Sequence, residues 1–198
     1  KTIGYNIFSQ IQHINVDKKN KYSDLDGISK ANINTNLQWK KNNQHTITMV
    51  SSLFRNHEES NSLAKTTYIT SKRNSFNLKH IWKVSNIWLI EQYFRYGNYS
   101  RNKEYNYIDG STKSDDLTGE NESEFEFNVI YNNEKTVINV GSELIFSNYI
   151  SDRIYNSKQS LDSKSIFSQI DITPYENLNF ILGIRLDENS QLHSVYSP

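Results

Sequence analysis

The connections between apolar segments alternate in length along the whole chain, and few folds permit that. Tight turns fall at Lys40-Lys41-Asn42-Asn43, Lys83-Val84-Ser85-Asn86, Asn132-Asn133-Glu134-Lys135 and Pro174-Tyr175-Glu176-Asn177. Between them lie long polar stretches, Asp17 to Ser29, Asn56 to Lys65, Arg101 to Asn121 and Ser151 to Ser163. The two kinds never mix, so the segments run up and down between one short-turn end and one long-loop end. Those segments have period two. Leu178, Phe180, Leu182, Ile184 and Leu186 alternate with Asn179, Ile181, Gly183, Arg185 and Asp187, and Phe125, Phe127, Val129 and Tyr131 alternate with Glu124, Glu126, Asn128 and Ile130. Such segments are strands with one apolar and one polar face. Ile166 to Ile172 repeats the pattern, and weaker versions at Tyr5 to Val16, Ile33 to Trp39, Ile47 to Leu53, Tyr68 to Val84, Ile87 to Tyr96 and Val137 to Phe146 bring the count to about nine.

Strands of soluble sandwiches average about five or six residues, whereas these run to about ten, the length of a tilted membrane-spanning strand. Short turns at one end, long loops at the other, an apolar outer face and a polar inner one describe an outer-membrane barrel. The expected fold is therefore all-β: an antiparallel transmembrane β-barrel wall with short periplasmic turns and long extracellular loops. Trp39, Trp82, Trp88, Tyr131 and Tyr175 sit at or near the short turns, where an interfacial aromatic girdle is expected. A propeller blade of similar repeat length would pack four strands rather than two long ones.

Composition narrows the function. The 22 basic and 22 acidic residues cancel, which gives no electrostatic basis for a nucleic-acid partner. The absence of cysteine removes thiolate chemistry, and a mean hydropathy of −0.74 leaves no helical membrane span. No phosphate loop, dinucleotide fingerprint, nucleophile elbow or zinc-protease motif is present. His13, His45, His57, His80 and His193 show no ligand spacing along the chain. An enzyme is not expected. The chain opens on Lys1-Thr2-Ile3-Gly4-Tyr5 without a signal-peptide hydrophobic region and reads as a segment of a longer protein.

The stretch Ile166-Phe167-Ser168-Gln169-Ile170-Asp171-Ile172-Thr173-Pro174, followed by Leu178-Asn179-Phe180-Ile181-Leu182-Gly183-Ile184-Arg185-Leu186-Asp187 and Tyr196-Ser197-Pro198, resembles the mid-barrel signature of TonB-dependent outer-membrane receptors. Leu186 stands where that family more often has an aromatic. The resemblance covers most of the chain in layout and is specific over about the last 35 residues. It implies a 22-stranded barrel plugged by an N-terminal domain in the outer membrane of a Gram-negative bacterium. It further implies uptake of a scarce nutrient, siderophore-bound iron or cobalamin-like, driven by TonB through the plug. At about 22 residues per strand such a barrel needs roughly 480 residues, so residues 1–198 are expected to be part of one barrel domain, with plug and remaining strands absent.

Within that frame Asn179, Arg185 and Asp187 share a polar face expected to line the lumen and contact a plug. Gly183 on that face would let another backbone approach. The longest loop carries Tyr99, Arg101, Tyr105 and Tyr107, a Tyr-rich set suited to gripping a bulky small-molecule ligand. Asp24 and Asp26, and Asp115 and Asp116 in a second acidic loop, are candidate ligands for Ca2+, although EF-hand spacing is missing. Outer-membrane lipid, the nutrient and TonB are the expected partners. Two other readings remain open: a small structural or adhesin-type outer-membrane barrel, and a soluble β-rich binding module whose apolar faces pack on a second sheet.

Overall fold

The computed structural model describes residues 2–15, 27–62, 64–153, 158–176, 178–190 and 192–197. They form ten strands: β1 (Thr2–Asn15), β2 (Gly27–Lys40), β3 (His45–Asn61), β4 (Lys65–Lys83), β5 (Trp88–Tyr107), β6 (Thr112–Asn132), β7 (Thr136–Ser151), β8 (Lys158–Tyr175), β9 (Leu178–Asn189) and β10 (Leu192–Ser197). All pair antiparallel with their sequence neighbours in one sheet ordered β1 to β10, with β1 and β10 at opposite edges. This is the up-and-down antiparallel layout of a β-barrel wall. The tenth strand, only six residues long, lacks the run of alternation that marks the other nine.

Register sorts the side chains cleanly. One row of cross-strand partners reads Leu186, Ile166, Ser142, Phe127, Gln92, His80, Ile47, Trp39 and Ile3, from β9 to β1. A row on the opposite face reads Asp187, Ser165, Glu143, Glu126, Tyr93, Lys79, Thr48, Gln38 and Gly4. On β9 the apolar face occupies five alternate positions from Leu178 to Leu186, a span of about 26 Å at ~3.3 Å per residue, which matches the apolar band of outer-membrane barrels.

Burial is inverted relative to a water-soluble domain. Among the described residues no hydrophobic side chain is buried, while Asn128, Ser147 and Ser165 on the polar face are nearly inaccessible. Leu182 is 69% exposed and Ile166 63%. A soluble module would cover these residues with a second sheet, and the described strands form one sheet only. The predicted girdle falls on the apolar face, where Trp88 meets Tyr131 edge-on with ring centroids 5.1 Å apart.

The long polar stretches differ from expectation. The strands β3 and β4 close to a connection of residues 62–64, and β5 and β6 to residues 108–111, so most of Asn56 to Lys65 and Arg101 to Asn121 is strand rather than loop. Hairpin pairing satisfies the backbone above the apolar band as well as within it, so the sheet continues after the hydrophobic signal stops. Strand β6 consequently reaches 21 residues, about twice a membrane crossing.

Three of the short turns share one device. The Asn42 side-chain oxygen accepts from the Gln44 and His45 amides at 3.0 and 2.9 Å, and that of Asn133 from the Lys135 and Thr136 amides at 2.9 and 2.7 Å. The Ser85 hydroxyl accepts from Ile87 and Trp88 at 3.3 and 3.2 Å. Each oxygen caps amides that have no ladder partner, which fixes the turn chemically. In the outer β5–β6 turn Gly110 takes a positive φ of 84°, a conformation suited to glycine. There the Ser111 hydroxyl, then its amide, donate to Asp109 and hold that carboxyl below its ordinary pKa.

If the apolar face meets hydrocarbon, Leu182→Arg at mid-band should destabilise the barrel by about 2–4 kcal/mol. Gln169→Lys on the polar face should change stability by less than about 1 kcal/mol. Urea titration of the protein refolded in lipid vesicles measures both.

Candidate functional site

The polar face of β5 to β9 carries a charge network whose members come from alternate positions of adjacent strands. Along β6, Glu120, Glu122, Glu124 and Glu126 occupy every second residue and so share this face. Glu126 lies directly opposite Glu143 of β7, an arrangement that is repulsive unless cations intervene. Two arginines supply them. Arg95 of β5 pairs with Glu124 and, at 3.3 Å, with Glu126. Arg185 of β9 reaches across β8 to Glu143 at 2.6 Å and holds Asp187 of its own strand at 2.8 Å. Its second contact on the way is the Ser165 hydroxyl at 2.9 Å, and its guanidinium sits 5.7 Å from the Phe167 ring centroid.

The network extends to β4. Lys79 binds Glu91 at 3.1 Å, Tyr93 donates to the same carboxylate at 2.7 Å, and the Tyr93 ring lies between the Lys79 ammonium at 4.7 Å and the Arg95 guanidinium at 5.2 Å. Asn128 donates to Glu126 at 2.6 Å, and Ser147 to Glu122 at 3.1 Å. Glu124, Glu126 and Glu143 place carboxylate oxygens within 4.8 Å of one another. With two guanidiniums already bonded to them, the trio is the acidic half of an ion-pair lattice rather than a vacant cation cage.

Arg185 and Asp187 thus stand on the polar face, as expected, and are bonded to each other. Asn179 lies apart on the same strand, where its side-chain oxygen accepts from the Thr173 hydroxyl at 3.3 Å. Gly183 is not a close-approach position, since a Cβ there would meet only the Ser168 carbonyl oxygen at 3.6 Å. Gly141 is. A Cβ there would collide with the Asn128 amide and the Phe167 ring, whose Cε2 lies 2.7 Å away. Phe167 and Asn128 are its direct cross-strand partners, so the missing side chain at Gly141 makes room for the ring that carries Arg185. Sequence alternation marks Gly141 as polar-face but says nothing of which ring arrives opposite it.

Tyr99, Arg101, Tyr105 and Tyr107 belong to β5 rather than to a loop, at alternate positions on the same face as Arg95. They divide into two groups. Tyr99 faces Arg73 of β4, with the guanidinium 5.5 Å from the ring centroid. Tyr105 lies near the hairpin tip, with Lys65 at 3.8 Å and Lys103 at 5.0 Å from its centroid and Tyr107 at 6.3 Å. Lys65 reaches this ring from the neighbouring strand β4, and Lys103 from β5 itself. Asp24 and Asp26 lie outside the described residues. Asp115 and Asp116 fall within β6, with Asp115 paired to Lys103 of β5, so the second acidic loop is strand.

No family model matches this chain, and no curated protein matches it. Solved structures do. The siderophore receptor PirA from Pseudomonas aeruginosa superposes with a TM-score of 0.70 over 99% of this chain and 32% of its own, at 13% identity. The ferric enterobactin receptor PfeA from the same organism, as a point mutant, gives 0.68 over 100% and 36% at 12% identity. The outer membrane transporter YddB from Escherichia coli gives 0.68 over 99% and 35% at 9% identity. The chain spans about a third of the length of these proteins and has the fold of their barrel walls.

Gly141→Ala should destabilise by about 1–3 kcal/mol through overpacking. Phe167→Ala in the same chain should recover part of that loss if the ring is the obstacle, which a double-mutant cycle by denaturant titration in micelles checks.

Proposed function

We propose that this chain is a stretch of the barrel wall of a TonB-dependent outer-membrane receptor that takes up an iron-loaded siderophore. The observation that carries the proposal is the superposition of the whole ten-strand sheet on siderophore receptors at TM-scores near 0.7. One similar structure, a PfeA variant, is described as in complex with enterobactin. In this reading the apolar face contacts lipid of the outer membrane of a Gram-negative bacterium. The polar face lines the lumen, where a plug domain coupled to TonB would meet the Arg95 and Arg185 lattice. The small adhesin-type barrel is less favoured, because β1 and β10 do not pair.

In this reading the outer hairpin supplies a grip for solute. Lys65, Lys103, Tyr105 and Tyr107 give cations over aromatic rings, a combination that holds a large anionic chelate through charge, stacking and hydroxyl contacts. Similar solved structures are described as receptors and as an outer membrane transporter, which supports transport. The Arg185 lattice serves the shape of the wall. Its ion pairs are partly open to solvent, with the Arg185 side chain 42% exposed, so each contributes about 1 kcal/mol or less.

In the full-length protein, Lys65→Ala with Tyr105→Ala should weaken binding of a ferric siderophore about tenfold while leaving the melting temperature of the barrel unchanged. Arg185→Ala should do the reverse. Ligand titration by intrinsic fluorescence and heat-dependent gel mobility report the two separately. Unchanged growth of a strain lacking the protein on each ferric siderophore offered as sole iron source would end the uptake proposal.

A further inference from the structure

The apolar face contains one polar chain near the short-turn rim, built from residues far apart in sequence. His45 Nδ1 lies 3.2 Å from His80 Nε2, and His80 Nδ1 lies 3.1 Å from Gln92 Oε1. His45 opens β3, His80 belongs to β4, and Gln92 is the direct cross-strand partner of His80 on β5. The two imidazoles are nearly coplanar, 9° apart, with centroids at 5.5 Å. The facing nitrogens are therefore much closer than the rings, and the pair meets edge to edge.

We propose that His45 and His80 form a chelating site for a divalent transition-metal ion, Cu2+ in preference to Zn2+, at the rim of the barrel wall. The two nitrogens meet head-on at 3.2 Å, so each ring turns by about 40° for both lone pairs to converge on one ion at about 2.0–2.1 Å. Gln92 sets the chemistry of the nearer ligand. Its carbonyl oxygen accepts from His80 Nδ1–H, which leaves Nε2 as a bare lone pair aimed at His45. A second ring N–H given to a carbonyl is the usual arrangement around a metal-bound histidine.

The partner is equally fixed. The Asn42 side chain holds the His45 amide at 2.9 Å, and the Trp82 ring lies along the imidazole with centroids 5.5 Å apart and planes 19° apart. Both ligands stand on paired strands, so little ordering is needed on binding. In the metal-free protein one proton bridges the two nitrogens, donated by His45 Nδ1. When the ion enters, His45 takes its other tautomer with the proton on Nε2, and the ion replaces the bridging proton. Water fills the remaining positions, available because the adjoining turn residues Lys41 to Gln44 are exposed. No carboxylate occupies the two rungs that carry the pair, His45–Trp82–Ile90–Val129 and Ile47–His80–Gln92–Phe127. A neutral imidazole pair of this kind selects by the Irving–Williams order, with Cu2+ bound most tightly.

The test is Cu2+ titration of the full-length protein in detergent, followed by quenching of Trp82 fluorescence. Saturation at one equivalent is expected. His80→Ala and His45→Ala should each weaken binding at least tenfold, Gln92→Leu about tenfold, and Gln92→Glu should keep or tighten it. His57→Ala, a control on the outer half of β3, should leave it unchanged. Electron paramagnetic resonance of the copper-loaded parent should show hyperfine coupling to two imidazole nitrogens. Fewer than two nitrogens, non-saturable quenching, or affinity unchanged from the parent in the His45 and His80 variants would overturn the proposal. The resonance measurement decides alone if the variants do not fold.

Discussion

Every backbone amide and carbonyl in hydrocarbon needs a partner inside the protein, because no water is there to supply one. A sheet meets that demand only through pairing to its neighbours, and this chain pairs each strand with the next from β1 to β10 without a crossover. Once the ladders carry the backbone, side chains sort by face alone. Leu182 and Ile184 need no core to enter, and the residues that become buried are Asn128, Ser147 and Ser165. The usual distribution of oil inside and water outside is turned over, and the long strands, the uncovered apolar band and the polar lattice follow from it.

The polar face then has its own problem. Alternation on β6 puts four glutamates on one side, and the register sets Glu126 against Glu143. Arg95 and Arg185 bridge the carboxylates of β6, β7 and β9 rather than pairing one to one. Gly141 gives up a side chain so that Phe167 can lie beneath Arg185. The lattice ties β5 to β6 and β9 to β7 across the polar face. It also gives the polar face a surface of fixed charge.

Much of this was legible before the structure. The alternation at Leu178 to Asp187 gave both faces of β9, and the Asn and Ser residues of the short turns marked one end of the wall. What escaped has physical causes. Strand ends escaped because the hydrophobic signal stops at the edge of the apolar band while hairpin pairing continues, which turned the supposed loop bearing Tyr99, Tyr105 and Tyr107 into strand. The roles of Gly141 and Lys65 escaped because each depends on what lies across the ladder. His45 and His80 are 35 residues apart, so no spacing rule joins them, and only the register between β3 and β4 does. Arg185 was placed on the correct face by alternation, yet its partner Glu143 lies two strands away.

The central claim is that one face of this sheet meets hydrocarbon and the other meets water. Since the chain has no cysteine, single cysteines introduced along β9 at positions 179 to 186 can each carry a nitroxide label in the full-length protein reconstituted in lipid vesicles. Collision with dissolved oxygen, which concentrates in the bilayer, should be high at 180, 182, 184 and 186 and low at 179, 181, 183 and 185. Collision with a water-soluble nickel complex should follow the opposite phase. Equal access of the nickel complex at even and odd positions would contradict the account.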